Sequence, residues 1–375
     1  MRAFLPTNAS HLTLARIIPA ACACLVSAAC GNTVISSGGS GGSGSTSVSS
    51  AGGGTSIATG STAGSGGVST GGSSLCAAVV CSPASACDIP ASSCDPATGL
   101  CSLLPAGQVW QGDYTITDAT SVSALAGYSE ITGSLSVASN ATVTVVALPG
   151  VVRIGGFLYV DGTALTSLDL GDLASLGGDV YFDHNASLTS VNLGHLAAVC
   201  DSVYFDHEDA LTSLNLTALQ KTGGAVSFYR AVMPSLDLSS LESVGGDLAF
   251  YHTTIQHLSV THLASIAGFL YLDHNAALAN FGPSPLATVG AYFYADHNDA
   301  LTTFGLPGLH TVGDYMYVTN NGLTSLGFVG SLTGVSGYAY FDANPGLPAC
   351  SVTAIAPVVA QGVTNTGNSG AGPCL

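Results

Sequence analysis

Short stretches of this chain alternate apolar and polar residues with a period of two, and the stretches themselves recur at a longer period. Val180 and Phe182 alternate with Asp179, Tyr181 and Asp183, the pattern of a strand with one face buried. The phrase Val180-Tyr181-Phe182-Asp183-His184-Asn185 returns as Val203-Tyr204-Phe205-Asp206-His207-Glu208. It appears again as Leu270-Tyr271-Leu272-Asp273-His274-Asn275 and as Phe293-Tyr294-Ala295-Asp296-His297-Asn298. Between residues 154 and 344 the unit is written nine times, at a spacing of 22 or 23 residues. A fixed period of this size predicts a solenoid, each repeat being one coil stacked on the last.

Within a coil, Leu188, Val191 and Leu193 form a second apolar set, and Leu196 and Val199 a third. Each coil is therefore expected to hold two or three short strands around an apolar centre. Gly177-Gly178 supplies one corner, where φ can be positive. Asn185 stands at another, where its amide can bond unpaired backbone groups. No stretch of ten or more residues has helical periodicity, so the expected class is all-β. Successive coils should pair as parallel strands about 4.8 Å apart, which piles equivalent residues into columns. Phe182, Phe205, Phe228 and Phe250 are expected to stack inside. Tyr159, Tyr181, Tyr204, Tyr271, Tyr294, Tyr317 and Tyr340 are expected to form an outward column.

The segment Leu188-Thr189-Ser190-Val191-Asn192-Leu193, with Leu196 and Val199, the start Gly245-Gly246-Asp247-Leu248, and Asn344-Pro345-Gly346-Leu347 resemble the receptor L-domain family. Its members are leucine-rich β-solenoids that form ligand-binding lobes of insulin and growth-factor receptors, with related repeats in fungal cell-wall and bacterial surface proteins. The resemblance covers roughly residues 110 to 350. It implies a right-handed parallel β-solenoid of about nine to ten coils, placed here at 108–349. It also implies recognition by surface residues that differ between members. Residues 350–375 are expected to cap the open end, closed by a Cys350–Cys374 disulfide, because a last coil otherwise exposes core and strand edges.

The N-terminal third reads differently. Arg2 and Arg16 precede an apolar run from Ile17 to Ala29, the layout of a signal peptide over residues 1–29 and too short for a membrane span. Leu25-Val26-Ser27-Ala28-Ala29-Cys30-Gly31 resembles a bacterial lipobox, which implies lipidation of Cys30 and an outer-membrane or cell-surface lipoprotein, with plain secretion as the alternative. Residues 31–75 are almost entirely Gly, Ser, Thr and Ala, so 30–75 is expected to be a flexible tether reaching roughly 35–40 Å.

Cys76, Cys81, Cys87, Cys94 and Cys101 fall in a turn-rich segment, 76–107, that looks like the small EGF-like modules of bacterial surface proteins. Disulfides are expected there; no Cys-x-x-Cys pair or nearby His supports zinc. Five thiols leave one over. Cys200 is a partner for it, or a small residue standing where the preceding coil has Gly177.

Charge narrows the partners. The formal net charge is −17 with 22 acids, and beyond residue 30 the only bases are Arg153, Lys221 and Arg230. Such a surface repels nucleic acid and anionic lipid, leaving glycans, proteins or cations, and the lipid anchor as the only membrane contact.

Two columns carry candidate chemistry. Asp183, His184, Asp206, His207, Asp273, His274, Asp296 and His297 place carboxylate beside imidazole. They fit either a solvent-facing turn bonded to local backbone or a divalent-metal site; no other cofactor is expected. Phe269, Tyr292, Tyr315 and Tyr338 each stand two residues before Tyr271, Tyr294, Tyr317 or Tyr340. Together they predict a two-by-four aromatic field on the outer face. Such a field is a ligand-binding site for a glycan or protein, a surface covered by the cap, or unused stacking. Paired carboxylates recur in every coil and none is privileged, and no nucleophile elbow is present. The expectation is a non-catalytic surface binding or adhesion protein, with a structural envelope component as the alternative and a polysaccharide-degrading enzyme behind it.

Overall fold

A computed structural model describes residues 93–95, 100–102 and 107–374. The signal peptide, Cys30, the tether, and Cys76, Cys81 and Cys87 lie outside the described residues. Ser93–Asp95 and Leu100–Ser102 form an antiparallel pair that sets Cys94 opposite Cys101 in register.

From Gln108 onward the chain is a parallel β-solenoid of about eleven turns, about 23 residues apart. A coil such as Val180–Asp183, Ser190–Asn192, Ala198–Val199 contributes one strand to each of three faces. The longest sheet has 12 strands, from Tyr114–Ile116 to Val363–Thr366, and the second has 11. The third face breaks into a 4-stranded sheet and two 2-stranded sheets. Register is residue-for-residue: Val180, Tyr181, Phe182 and Asp183 pair with Val203, Tyr204, Phe205 and Asp206. Among the described residues the α-helices are short, Ala119–Ala124 and Ala349–Ile355, and no helix is long and apolar enough to cross a membrane.

The alternation read from the sequence sorts the side chains as expected. Phe182, Phe205, Phe228 and Phe250 are buried and stack with centroids 4.8, 5.5 and 5.4 Å apart. Leucines and valines of all three faces fill the remainder of one continuous core. The turn count exceeds the nine to ten expected. Tyr114–Ile116 and Leu135–Val137 pair as coils although they lack the Tyr-x-Asp phrase, and Val363–Thr366 adds a polar strand at the far end. Strand pairing needs only the buried alternation, so coils persist where the outward phrase has faded.

At the C-terminal end the helix Ala349–Ile355 buries Val352 and Ile355, and Val359 bridges to Val335. Cys350 and Cys374 are disulfide-bonded, with Cα atoms 5.3 Å apart. Cys200 is also disulfide-bonded, which disfavours the reading of it as a mere small residue. At the opposite end Trp110 packs edge-on against Tyr114 and Tyr128.

Candidate functional site

The repeated phrase ends at a corner, and the corner explains the histidines. The residue after each of these strands, which end in Asp in five coils and in Tyr229, Tyr251 or Thr319 in the others, has a left-handed backbone: His184, His207, Arg230, His252, His274, His297, Asn320 and Ala343 all have φ between 50° and 55°. Such a conformation costs a non-glycine residue about 1–2 kcal/mol. Each corner N–H bonds the neighbouring coil, as in His274 N to Asp296 O at 2.9 Å. The reversed φ also turns the ring back over the preceding Asp. His184 and His207 stack at 4.4 Å, as do His252, His274 and His297 at 4.5 Å. His252 belongs to this row although its coil reads Tyr251-His252-Thr253; aligning the repeats by the corner rather than by Asp would have found it.

The residue after the corner points inward. Asn275, Asn298, Asn321 and Asn344 are buried and form a ladder. Asn298 Nδ2 donates to Leu272 O at 2.9 Å, and its Oδ1 accepts from Asn275 N at 3.0 Å. These bonds satisfy backbone groups that the corner would otherwise strand.

The Asp column follows the expected register: Asp183 pairs with Asp161 and Asp206, and Asp273 with Asp296. It is less exposed than a solvent-facing turn. Asp273 and Asp296 are buried, and their second oxygens accept the hydroxyls of Tyr271 and Tyr294 at 3.3 and 3.2 Å. Tyr181 binds Asp183 in the same way at 3.2 Å. Burial, then the Asp charge, pushes all three phenols up from their ordinary range. The inner Tyr column is thus tied to the Asp column, a pairing at i, i+2 on one strand face. Burial raises the Asp273 carboxyl. At Asp296 burial acts in the same direction, but hydrogen bonds from Thr319 and Asn320 prevail and hold it low.

The two carboxylate–imidazole groups differ. In the later coils Asp273 Oδ1 is hydrogen-bonded to His274 Nδ1 at 2.7 Å, and Asp296 Oδ1 accepts from Thr319 and Asn320. In the earlier coils Asp183 Oδ1 lies 2.5 Å from His184 Nδ1 and 3.8 Å from His207 Nδ1, and Asp206 Oδ1 lies 2.7 Å from His207 Nδ1. There Asp183 Oδ1, Asp206 Oδ1 and His207 Nδ1 are buried without an aligned hydrogen-bond partner.

The aromatic residues assemble on the outer face. Tyr271, Tyr294 and Tyr317 stack nearly face to face, with centroids 4.6 and 4.9 Å apart and planes within 8°. Tyr340 follows at 6.2 Å with a 46° tilt. These four rings are half-buried, so most of their face area is spent on one another. The outer column is more open: Tyr292, Tyr315 and Tyr338 are 43%, 40% and 42% exposed. Their planes agree within 11° and 3°, but the centroids stand 5.6 and 6.2 Å apart. Parallel rings so far apart are slid past one another or gapped, and either way part of each face is uncovered. Phe269 begins this column half-buried, 6.2 Å from Tyr292. The field is therefore one open row backed by a packed row, rather than eight equal platforms.

Gly362 takes the next place after Tyr338, since Ala339 N bonds Gly362 O as Met316 N bonds Tyr338 O. The C-terminal segment therefore continues the sheet beside the aromatic row and leaves it open. Phe157, 46% exposed, stands at the early end of the same column, where Leu135 N bonds its carbonyl; its place two residues before Tyr159 is the signal for it.

No protein-family model, curated protein or solved structure matches this chain.

Proposed function

We propose that this chain is a non-catalytic recognition protein that binds an extended glycan or protein segment along the outer face of its later coils. The contact row is Tyr292, Tyr315 and Tyr338, flanked by Phe269 and backed by Tyr271, Tyr294, Tyr317 and Tyr340. The exposure of that row is the observation that carries the reading. Exposed aligned aromatics of this kind mark interaction surfaces, and their partly open faces with free-standing hydroxyls suit sugar rings and peptide groups alike.

The same position in earlier coils supports this. Asp179 and Asp247 there accept hydrogen bonds from the next coil, at Ser202 N and Phe269 N, both 2.9 Å. An aromatic ring offers no such acceptor, so Tyr292, Tyr315 and Tyr338 give up a structural bond for an apolar surface. The lipobox resemblance and the Gly/Ser tract fit a protein held at an outer-membrane or cell surface by Cys30, with the solenoid lifted clear of it.

A glycan and peptide array tests the proposal. The wild type captures a discrete set of extended ligands, and Tyr292→Ala with Tyr315→Ala weakens capture roughly 5- to 150-fold, about 1–3 kcal/mol for two aromatic contacts. Equal capture by a variant with a native circular dichroism spectrum overturns it. Reducing ends released from a polysaccharide panel would instead favour the enzyme reading.

A further inference from the structure

We propose that Asp183, His184 and His207 form a binding site for a divalent transition-metal cation of the zinc class, bridging two adjacent coils. The site is separate from the tyrosine row and does not depend on it.

Buried polar atoms in native proteins have partners, and a cluster without them calls for a cause such as an ion. Among the described residues the buried side-chain atoms lacking a partner are Asp183 Oδ1, Asp206 Oδ1, His207 Nδ1 and Glu208 Oε2. All four fall at one corner of the solenoid. The carboxylate oxygens approach the imidazole nitrogens to 2.5–3.8 Å without the alignment of a hydrogen bond. His207 Nδ1 thus faces two carboxylates, Asp206 at 2.7 Å and Asp183 at 3.8 Å, without an aligned hydrogen bond to either.

One donor atom from each of Asp183, His184 and His207 lies within 4.8 Å of the others. Zinc binds imidazole nitrogen and carboxylate oxygen at about 2.0–2.2 Å, which sets tetrahedral ligand atoms about 3.3 Å apart. The separations of 2.5 and 3.8 Å straddle that value; the two imidazole rings, stacked 4.4 Å apart, turn toward each other about their side-chain bonds to share one ion. Consecutive residues of a strand point to opposite faces; the φ of 54° at His184 brings its donor to the Asp183 side. Strand stacking then supplies His207 from the next coil. Three protein ligands leave one tetrahedral position to water, and the Asp206 carboxylate, 2.7 Å from His207 Nδ1, lies beside the site.

Asp273, His274 and His297 have the same spacing, but there Asp273 Oδ1 is hydrogen-bonded to His274, and Thr319 and Asn320 occupy Asp296 Oδ1. The earlier cluster holds its carboxylates and imidazoles in close ion-pair contact instead, with no aligned hydrogen bond at Asp183 Oδ1 or His207 Nδ1. Two imidazoles with a carboxylate favour zinc-class ions over calcium and magnesium, which take six or more oxygen ligands.

The test is calorimetric titration of the full chain, carrying no polyhistidine tag, with zinc chloride, and with calcium and magnesium chloride for comparison. The wild type binds one zinc per chain, and calcium and magnesium give no heat. His184→Asn with His207→Asn weakens zinc binding at least tenfold, whereas His274→Asn with His297→Asn leaves it unchanged. Asn occupies this left-handed corner natively at Asn320, so both pairs should fold; melting without zinc verifies this. Asp183→Asn, which keeps an acceptor for Tyr181, gives an independent loss. Absence of zinc binding by the wild type, retained affinity in the His184/His207 pair, or loss in the His274/His297 pair overturns the proposal.

Discussion

Asn185 Nδ2 donates a 2.7 Å hydrogen bond to Glu208 Oε1, so a buried glutamate stands where the ladder of later coils has asparagine. In those coils the asparagine amide also donates to the third residue of the strand one turn back, as Asn298 does to Leu272. The corresponding acceptor for position 208 is Phe182. A carboxylate cannot donate there, and Glu208 Oε2 has no partner. Burial pushes the Glu208 carboxyl up to about 8, toward the neutral form that carries an O–H.

Glu208→Asn should therefore stabilise the protein, most above pH 8. The folded-state pKa lies above the unfolded value, so the wild-type contribution is intact below about pH 4.5 and is lost as pH rises through about 8. At pH 9 the gain should be about 1–3 kcal/mol, the cost of an unsatisfied buried acceptor, and it should shrink at pH 4. Urea denaturation at the two pH values measures it.

Removing a ladder amide should do the reverse. Asn298→Ala removes the side-chain partner of Leu272 O and of Asn275 N at once, and one of the two donors to Asn321 Oδ1. A loss of about 3 kcal/mol or more is expected, read as a lower urea midpoint with unchanged slope.

Ala343 is the one corner residue with neither a polar side chain nor a missing Cβ, at φ 51°. Ala343→Gly removes about 1–2 kcal/mol of left-handed strain and adds about 0.5–1 kcal/mol of chain entropy cost. The balance is a gain of up to about 1.5 kcal/mol, visible as a higher melting temperature. A β-branched Val at this position should destabilise.

Cys350 and Cys374 enclose a segment with a sequence separation of 24. Chain-entropy arguments give such a loop about 3 kcal/mol. Replacing both by Ser should lower stability by that order and expose the bonds 359–366 make to the last coil, measured as faster hydrogen exchange there.

Much of this was legible in the sequence, because one unit repeated many times reports its inward and outward positions repeatedly. The Phe182–Phe250 stack, the Tyr row and the Asp row all follow from period and alternation. What stayed hidden depends on backbone dihedrals and on neighbours two residues away. The left-handed corner at His184 and its equivalents is a position where Asn or Gly is the usual sign, and five histidines disguise it. The Tyr271–Asp273 bond joins residues on one strand face that could equally have pointed to solvent. Glu208 reads as an exposed charge until the ladder places it inside. The outward direction of Tyr292, Tyr315 and Tyr338 follows from alternation, but whether the row is open, and how it differs from the packed inner row, lies in the course of the C-terminal segment and in ring spacing, which no sequence pattern encodes.

The most direct test of an open tyrosine row is nitration of the full chain with tetranitromethane, followed by peptide mapping. Tyr292, Tyr315 and Tyr338 should be modified first, well ahead of Tyr271, Tyr294 and Tyr317. Protection of Tyr292, Tyr315 and Tyr338 to the level of the inner row in the ligand-free protein would mean that this face is covered, and would contradict the account.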